Sequence, residues 1–103
     1  MTNKITKGKS YGKFTRSAEE GKTDYTLIPR FCLDRLAGLY TKGAEVHGKD
    51  NWKEDTSKET LERAKRSAWR HFLALMDGET DEDHYAALIF NITQIEYIKC
   101  KDL

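Results

Sequence analysis

The chain has 103 residues, enough for one domain and one core. Hydrophobic residues make up 38% and charged residues 34%, which excludes wholesale disorder but leaves a small core that self-assembly would help to cover. Eighteen Lys and Arg against 17 Asp and Glu give a net charge of +1, so neither a basic coat for long nucleic acid nor an acidic mimic of it fits.

No apolar run is long enough for a transmembrane helix, and the opening Met1-Thr-Asn-Lys-Ile5 lacks the apolar core of a secretory signal. Cys32 and Cys100 have no metal-ligand spacing. The expectation is a cytoplasmic chain with free thiols.

Residues 1–30 carry Lys4, Lys7, Lys9, Lys13, Arg16, Lys22 and Arg30 against three acids, with Gly8, Gly12 and Gly21 among them. The stretch has no sustained period, so it reads as an extended basic arm: a flexible tail over 1–13, then the start of a single helical domain over 14–103. No strand pattern competes.

Helix one is expected over about 29–47. Pro29 suits a first helical turn because its missing N–H has no partner there. Leu33, Leu36, Tyr40 and Ala44 recur at helical spacing, Cys32 and Leu39 widen the stripe, and Gly48 ends it. Asp50-Asn51-Trp52 reads as a turn.

Helix two is expected over about 57–77. Thr56 to Glu59 fits a capping box. Leu61, Ala64, Ala68, Phe72 and Leu75 form the apolar face, and Arg63, Arg66 and Arg70 form a second stripe. That stripe reads either as a solvated face bridging to Glu59 and Glu62 or as an anion clamp, since guanidinium groups match phosphate oxygens.

Helix three is expected over about 81–99, with Asp81, Glu82 and Asp83 in its first turn. Its body from Tyr85 to Ile98 is apolar on most sides, which suits a bundle centre or a subunit interface; with three helices available, the interface is the simpler reading. His84, Asn91 and Gln94 interrupt that surface and each needs a partner. The acidic segment from Asp77 to Asp83 holds five acids, a solvated loop or a Mg²⁺ site. The fold class is therefore all-α: a compact three-helix bundle with an extended arm, assembled as an oligomer.

Four motifs occur in order: Gly21-Lys22-x-Asp24-x-x-Leu27-Ile28-Pro29; Gly43-Ala44-x-x-His47-Gly48-x-x-Asn51-Trp52; Arg70-His71 with Gly78-Glu79; and Asp83-His84 with Asn91. The series resembles the phage-encoded family named for the dATP/dGTP diphosphohydrolase N-terminal domain, over roughly residues 14–98. The resemblance implies a helical fold related to the MazG-type pyrophosphohydrolases, which work as oligomers. Those enzymes use helix-borne carboxylates to hold Mg²⁺, and water splits a nucleoside triphosphate into a monophosphate and pyrophosphate. Where they carry Glu-x-x-Asp, this chain has His84, Ala87 and Asn91.

Three functions compete. In a Mg²⁺-dependent dNTP pyrophosphohydrolase, Glu79 and Asp83 hold metal, Arg70 and Lys22 neutralise phosphate, and His84 or His71 assists proton transfer. In a non-catalytic nucleotide binder, such as a sponge for a cyclic defence signal, Arg66, Arg70, Lys22, His47 and His71 take phosphates. Asn51, Asn91 and Gln94 would then read base edges, and Tyr25 and Trp52 would stack. The third reading is a protein-interaction inhibitor docking through helix three. The small number of carboxylates tips the balance toward sequestration.

Overall fold

The computed structural model describes residues 10, 11, 14, 15 and 21–101. The tail expected over 1–13 lies outside the described residues except for Ser10 and Tyr11. These two form β1 (Ser10–Tyr11), which pairs antiparallel with β2 (Phe14–Thr15), Ser10 opposite Thr15 and Tyr11 opposite Phe14. A pairing of two residues per strand is too short to leave a period-two pattern, which is why the sequence did not announce it.

Three helices follow: α1 (Arg30–His47), α2 (Lys58–Met76) and α3 (His84–Lys101). A single 3-10 turn at Tyr25–Leu27 precedes α1; Asp24 caps it by accepting the Thr26 N–H at 3.0 Å. Pro29 is the N-cap of α1 rather than its first residue, and its carbonyl receives the Cys32 and Leu33 N–H groups. At the far end Gly48 adopts φ +99°, a backbone that side-chain-bearing residues rarely take, and its N–H closes on the Ala44 carbonyl.

The α2 cap is shifted by one from expectation. Ser57, not Thr56, accepts the Thr60 N–H at 3.2 Å. Asp55 sets this register by accepting the Ser57 N–H at 2.9 Å. Those hydroxyl and amide donors, led by the Thr60 hydroxyl, hold the Asp55 carboxyl down at about 2. The other end of α2 closes as a Schellman turn: the Glu79 N–H reaches the Ala74 carbonyl, the Gly78 N–H reaches that of Leu75, and Gly78 sits at φ +75°.

Helix α3 begins later than its acids suggested. Asp83 stands before it as the cap, and its Oδ1 accepts the Ala86 N–H at 3.0 Å. A carboxylate here both satisfies an orphan donor and faces the positive end of the helix dipole. Asp81 and Glu82 therefore belong to the turn between α2 and α3, not to the helix.

The core lies between α2 and α3. Ala64, Ala74, Ala86, Ala87 and Ile98 are its buried apolar residues, and Thr60, His71, His84 and Asn91 are buried with them. Alanines let the two helices approach closely. The buried stripe of α2 runs 60, 64, 71, 74; of the expected face Ala64 is in it and Leu61, Ala68 and Leu75 are half-buried beside it. Phe72 lies outside it, 38% exposed, with its ring edge-on to Trp69.

Helix α1 packs on the opposite side of α3 and buries no residue fully. Trp52, on a 3-10 turn at Asn51–Lys53, wedges this seam open. Its ring meets Tyr40, Phe90 and Tyr97 edge-on at centroid distances of 6.0, 5.5 and 5.3 Å. The all-round apolar character of α3 thus follows from its central place, between α2 on one side and α1 on the other. Among the described residues no helix is long and apolar enough to cross a membrane, and Cys32 and Cys100 are free.

Candidate functional site

Two sets of polar side chains gather on opposite parts of the α2–α3 pair. The first is a groove along its side, about 610 Å³, lined by Thr60, Arg63, Ala64, Arg66, Ser67, Arg70, Asn91 and Gln94. The three arginines project from one face of α2 and stay exposed. The bridging to Glu59 and Glu62 that a solvated face would use is not formed among the described residues. Glu62 instead pairs with Lys65 at 3.3 Å. Asn91 enters the groove from α3. It is 8% exposed, and its Oδ1 has no hydrogen-bond partner among the described residues. An acceptor left bare in a buried position costs about 1–3 kcal/mol, so this oxygen marks a place where a donor is missing.

The second set sits at the corner where α2 turns into α3. His71 from α2 and His84 from the first residue of α3 face each other, Nδ1 to Nδ1, at 2.9 Å. The other nitrogen of His84, Nε2, meets Asp81 Oδ1 at 2.8 Å. A carboxylate accepts, so Nε2 carries the proton; a neutral His84 then accepts at Nδ1, and His71 donates from its own. Burial pushes the His71 pKa below the usual imidazole value, with the Arg70 charge adding to it. The His84 hydrogen bond in turn lowers the pKa of Asp81.

Beside this corner, Arg35 reaches from α1 to Asp83. Its Nε and Nη2 donate to the two carboxylate oxygens at 2.9 and 2.6 Å, and its guanidinium lies 4.7 Å from the Tyr85 ring centroid. The forked contact holds the Asp83 carboxyl at about 2. Sequence reasoning missed Arg35 altogether; a lone arginine 48 residues from its partner leaves no local signal.

The remaining sequence candidates are dispersed. His47, Asn51 and Trp52 line a wide open cleft between α1 and α3, together with Arg35 and Asp81 to Asp83. Trp52 is occupied by aromatic packing there. Lys22 and Tyr25 precede α1 and line none of these clefts, and Tyr25 is 74% exposed. Arg66, Arg70 and Asn91 share the groove. Glu79 and Asp83 line one shallow recess, and the converging donor triad that includes Glu79 is completed by Asp81 and His84.

A model of a protein family described as dATP/dGTP diphosphohydrolase, N-terminal, matches residues 13–102. The chain belongs to that family. No curated protein and no solved structure matches it. For a dATP/dGTP diphosphohydrolase N-terminal chain the fit to Mg²⁺ can be tested on the donors themselves. Mg²⁺ takes an octahedron of oxygens. Asp83 is engaged by Arg35 and the α3 cap, and each converging group of three donors among the described residues includes an imidazole. Glu79 and Asp83 thus share a recess, but Asp83 is already held by Arg35 and no third carboxylate converges with the two among the described residues.

Proposed function

We propose that the protein binds a purine deoxynucleotide in the α2–α3 groove and retains it. The reading is carried by the bare Oδ1 of Asn91 on a groove lined by Arg63, Arg66 and Arg70. Guanidinium forks match phosphate oxygens. An unpaired carbonyl oxygen calls for a donor instead, and the exocyclic amino groups of adenine and guanine or a sugar hydroxyl supply one. The family's description supports the choice of nucleotide, and the engagement of Asp83 by Arg35 and the α3 cap supports retention.

The test is a nucleotide panel. Purified protein is incubated with deoxynucleoside triphosphates and cyclic nucleotides, with and without Mg²⁺, then filtered, and both filtrate and heat-denatured protein are resolved by HPLC. A purine nucleotide recovered intact from the denatured protein, with or without Mg²⁺, is the expected result. Monophosphate and pyrophosphate appearing only with Mg²⁺ would overturn retention in favour of the hydrolase, the reading that the family's description favours. Asn91→Leu should weaken binding at least about tenfold, the loss of one good hydrogen bond, while leaving the melting temperature of the free protein unchanged or raised, since a bare buried acceptor is removed.

Self-association belongs to the same reading. Trp69, Phe72, Leu73 and Met76 fall at i, i+3, i+4 and i+7 on α2, and all four are exposed. A continuous apolar stripe beside so small a core suits a second copy of the chain, placed on α2 rather than on the covered α3. Light scattering should give at least twice the chain mass; a strict monomer at working concentration refutes it.

A further inference from the structure

We propose that His71, His84 and Glu82 form a site for one borderline divalent transition-metal ion of the Zn²⁺ type. One donor atom from each residue lies within 4.8 Å of the other two. The two imidazoles are buried, at 6% and 5% exposure, and their Nδ1 atoms face each other. Two tetrahedral zinc ligands stand roughly 3.3 Å apart when the metal–nitrogen bonds are about 2.0–2.1 Å; the nitrogens now stand 2.9 Å apart and face each other with ring centroids 5.1 Å apart, so the ion enters when both rings turn to aim beside that line.

Asp81 supplies the outer support that such sites use. By accepting from His84 Nε2 it fixes the ring's orientation and leaves Nδ1 with its lone pair directed at His71. Metal entry costs one rearrangement. The proton that His71 donates from Nδ1 leaves to solvent, and a proton returns to its Nε2, so both Nδ1 atoms bind as neutral imidazoles with no net proton change.

The route in is also present. A shallow recess lined by Glu79, Glu82 and His84, with Arg35, Leu75 and Tyr85 among its walls, opens onto the corner. Glu82 stands exposed on the turn and is available as the third ligand; the fourth position is left for water. Two imidazoles and one carboxylate with an open position is a ligand set that suits zinc and its neighbours and not Mg²⁺. The site needs no nucleotide, so its failure and that of the groove are separate events.

The experiment uses the full chain without an affinity tag. Zn²⁺ uptake is measured by equilibrium dialysis and elemental analysis, and Co²⁺ is used as a spectroscopic probe. The expected result is one ion per chain and visible Co²⁺ bands of low-coordinate intensity. Glu82→Gln and Asp81→Asn, both on the exposed turn, should each weaken uptake by at least about tenfold. Glu79→Gln should leave it unchanged. His71→Gln should abolish it, and the two turn variants keep the test valid if that one fails to fold. Uptake well below one ion per chain, uptake that survives folded His71→Gln, or uptake lost in Glu79→Gln but kept in Glu82→Gln would overturn the assignment.

Discussion

The two seams that α3 makes are built on different principles. Against α2 it presents alanines and polar groups, and every fully buried residue among those described lies on these two helices. Against α1 it presents aromatic rings and an exposed ion pair, and α1 buries nothing completely. Close approach of backbones gives the first seam its rigidity and lets it hold His71, His84 and Asn91 in fixed places. Bulky rings hold the second apart, which creates an open cleft but ties α1 down weakly. A small chain thus divides its work: one pair of helices positions chemistry, and the third acts as a cover.

The contrast can be broken most severely at Ile98, the largest fully buried side chain, at 2% exposure. Ile98→Ala should cost about 2–5 kcal/mol, a large share of the stability of so small a domain, and should lower the melting temperature by well over 10 °C. Loss of less than a degree would mean that the α2–α3 seam is not the stabilising one.

Trp52→Ala acts on the other seam. Aromatic truncation costs about 3–5 kcal/mol in a full core, and Trp52 is only half-buried, so the expected cost is about 2–3 kcal/mol. The sharper readout is hydrogen exchange. Amides of α1 should lose protection while those of α2 and α3 keep theirs. Equal loss in all three helices would show the seams to be one cooperative unit.

The smallest effect concerns Arg35. Its pair with Asp83 is 38–43% exposed, so solvent screening keeps its contribution small. Because Asp83 titrates lower in the folded chain than in the unfolded one, its contribution is complete above the unfolded carboxyl range near 3.8 and fades as pH falls toward about 2. Arg35→Gln should therefore lower stability modestly at pH 7, and the difference from the native chain should shrink below pH 4 in acid unfolding curves. A gap that widens in acid would contradict the linkage.

Much of this was legible in the sequence because helices advertise themselves locally. Apolar spacing, Pro29, Gly48 and Gly78 located all three helices to within a few residues. The capping positions slipped where two candidates competed: Thr56 and Ser57 both have the hydroxyl, and only the Asp55 contact decides between them. The α2 face was read correctly at Leu61, Ala64, Ala68 and Leu75, but half of its buried stripe is polar, so hydrophobicity favoured Phe72 over Thr60 and His71. Asn91 stood out as a polar residue needing a partner, and it is the side chain whose oxygen lacks one. The histidine pair and the Arg35 fork were invisible. Their members lie 13 and 48 residues apart, and only the turn angle between helices brings them together.

That last separation governs how the chain is made. The α2–α3 pair is joined by a short turn, so its contacts close a small loop and form early. Helix α1 is synthesised first, yet its partner side chain Asp83 follows Arg35 by 48 residues. On the ribosome α1 must therefore wait as a lone amphipathic segment, with Leu36 and Tyr40, half-buried in the finished fold, open to solvent until α3 emerges. Translation speed between residues 48 and 84 sets the length of that wait, and with it the interval in which a chaperone, rather than the rest of the domain, holds the first helix.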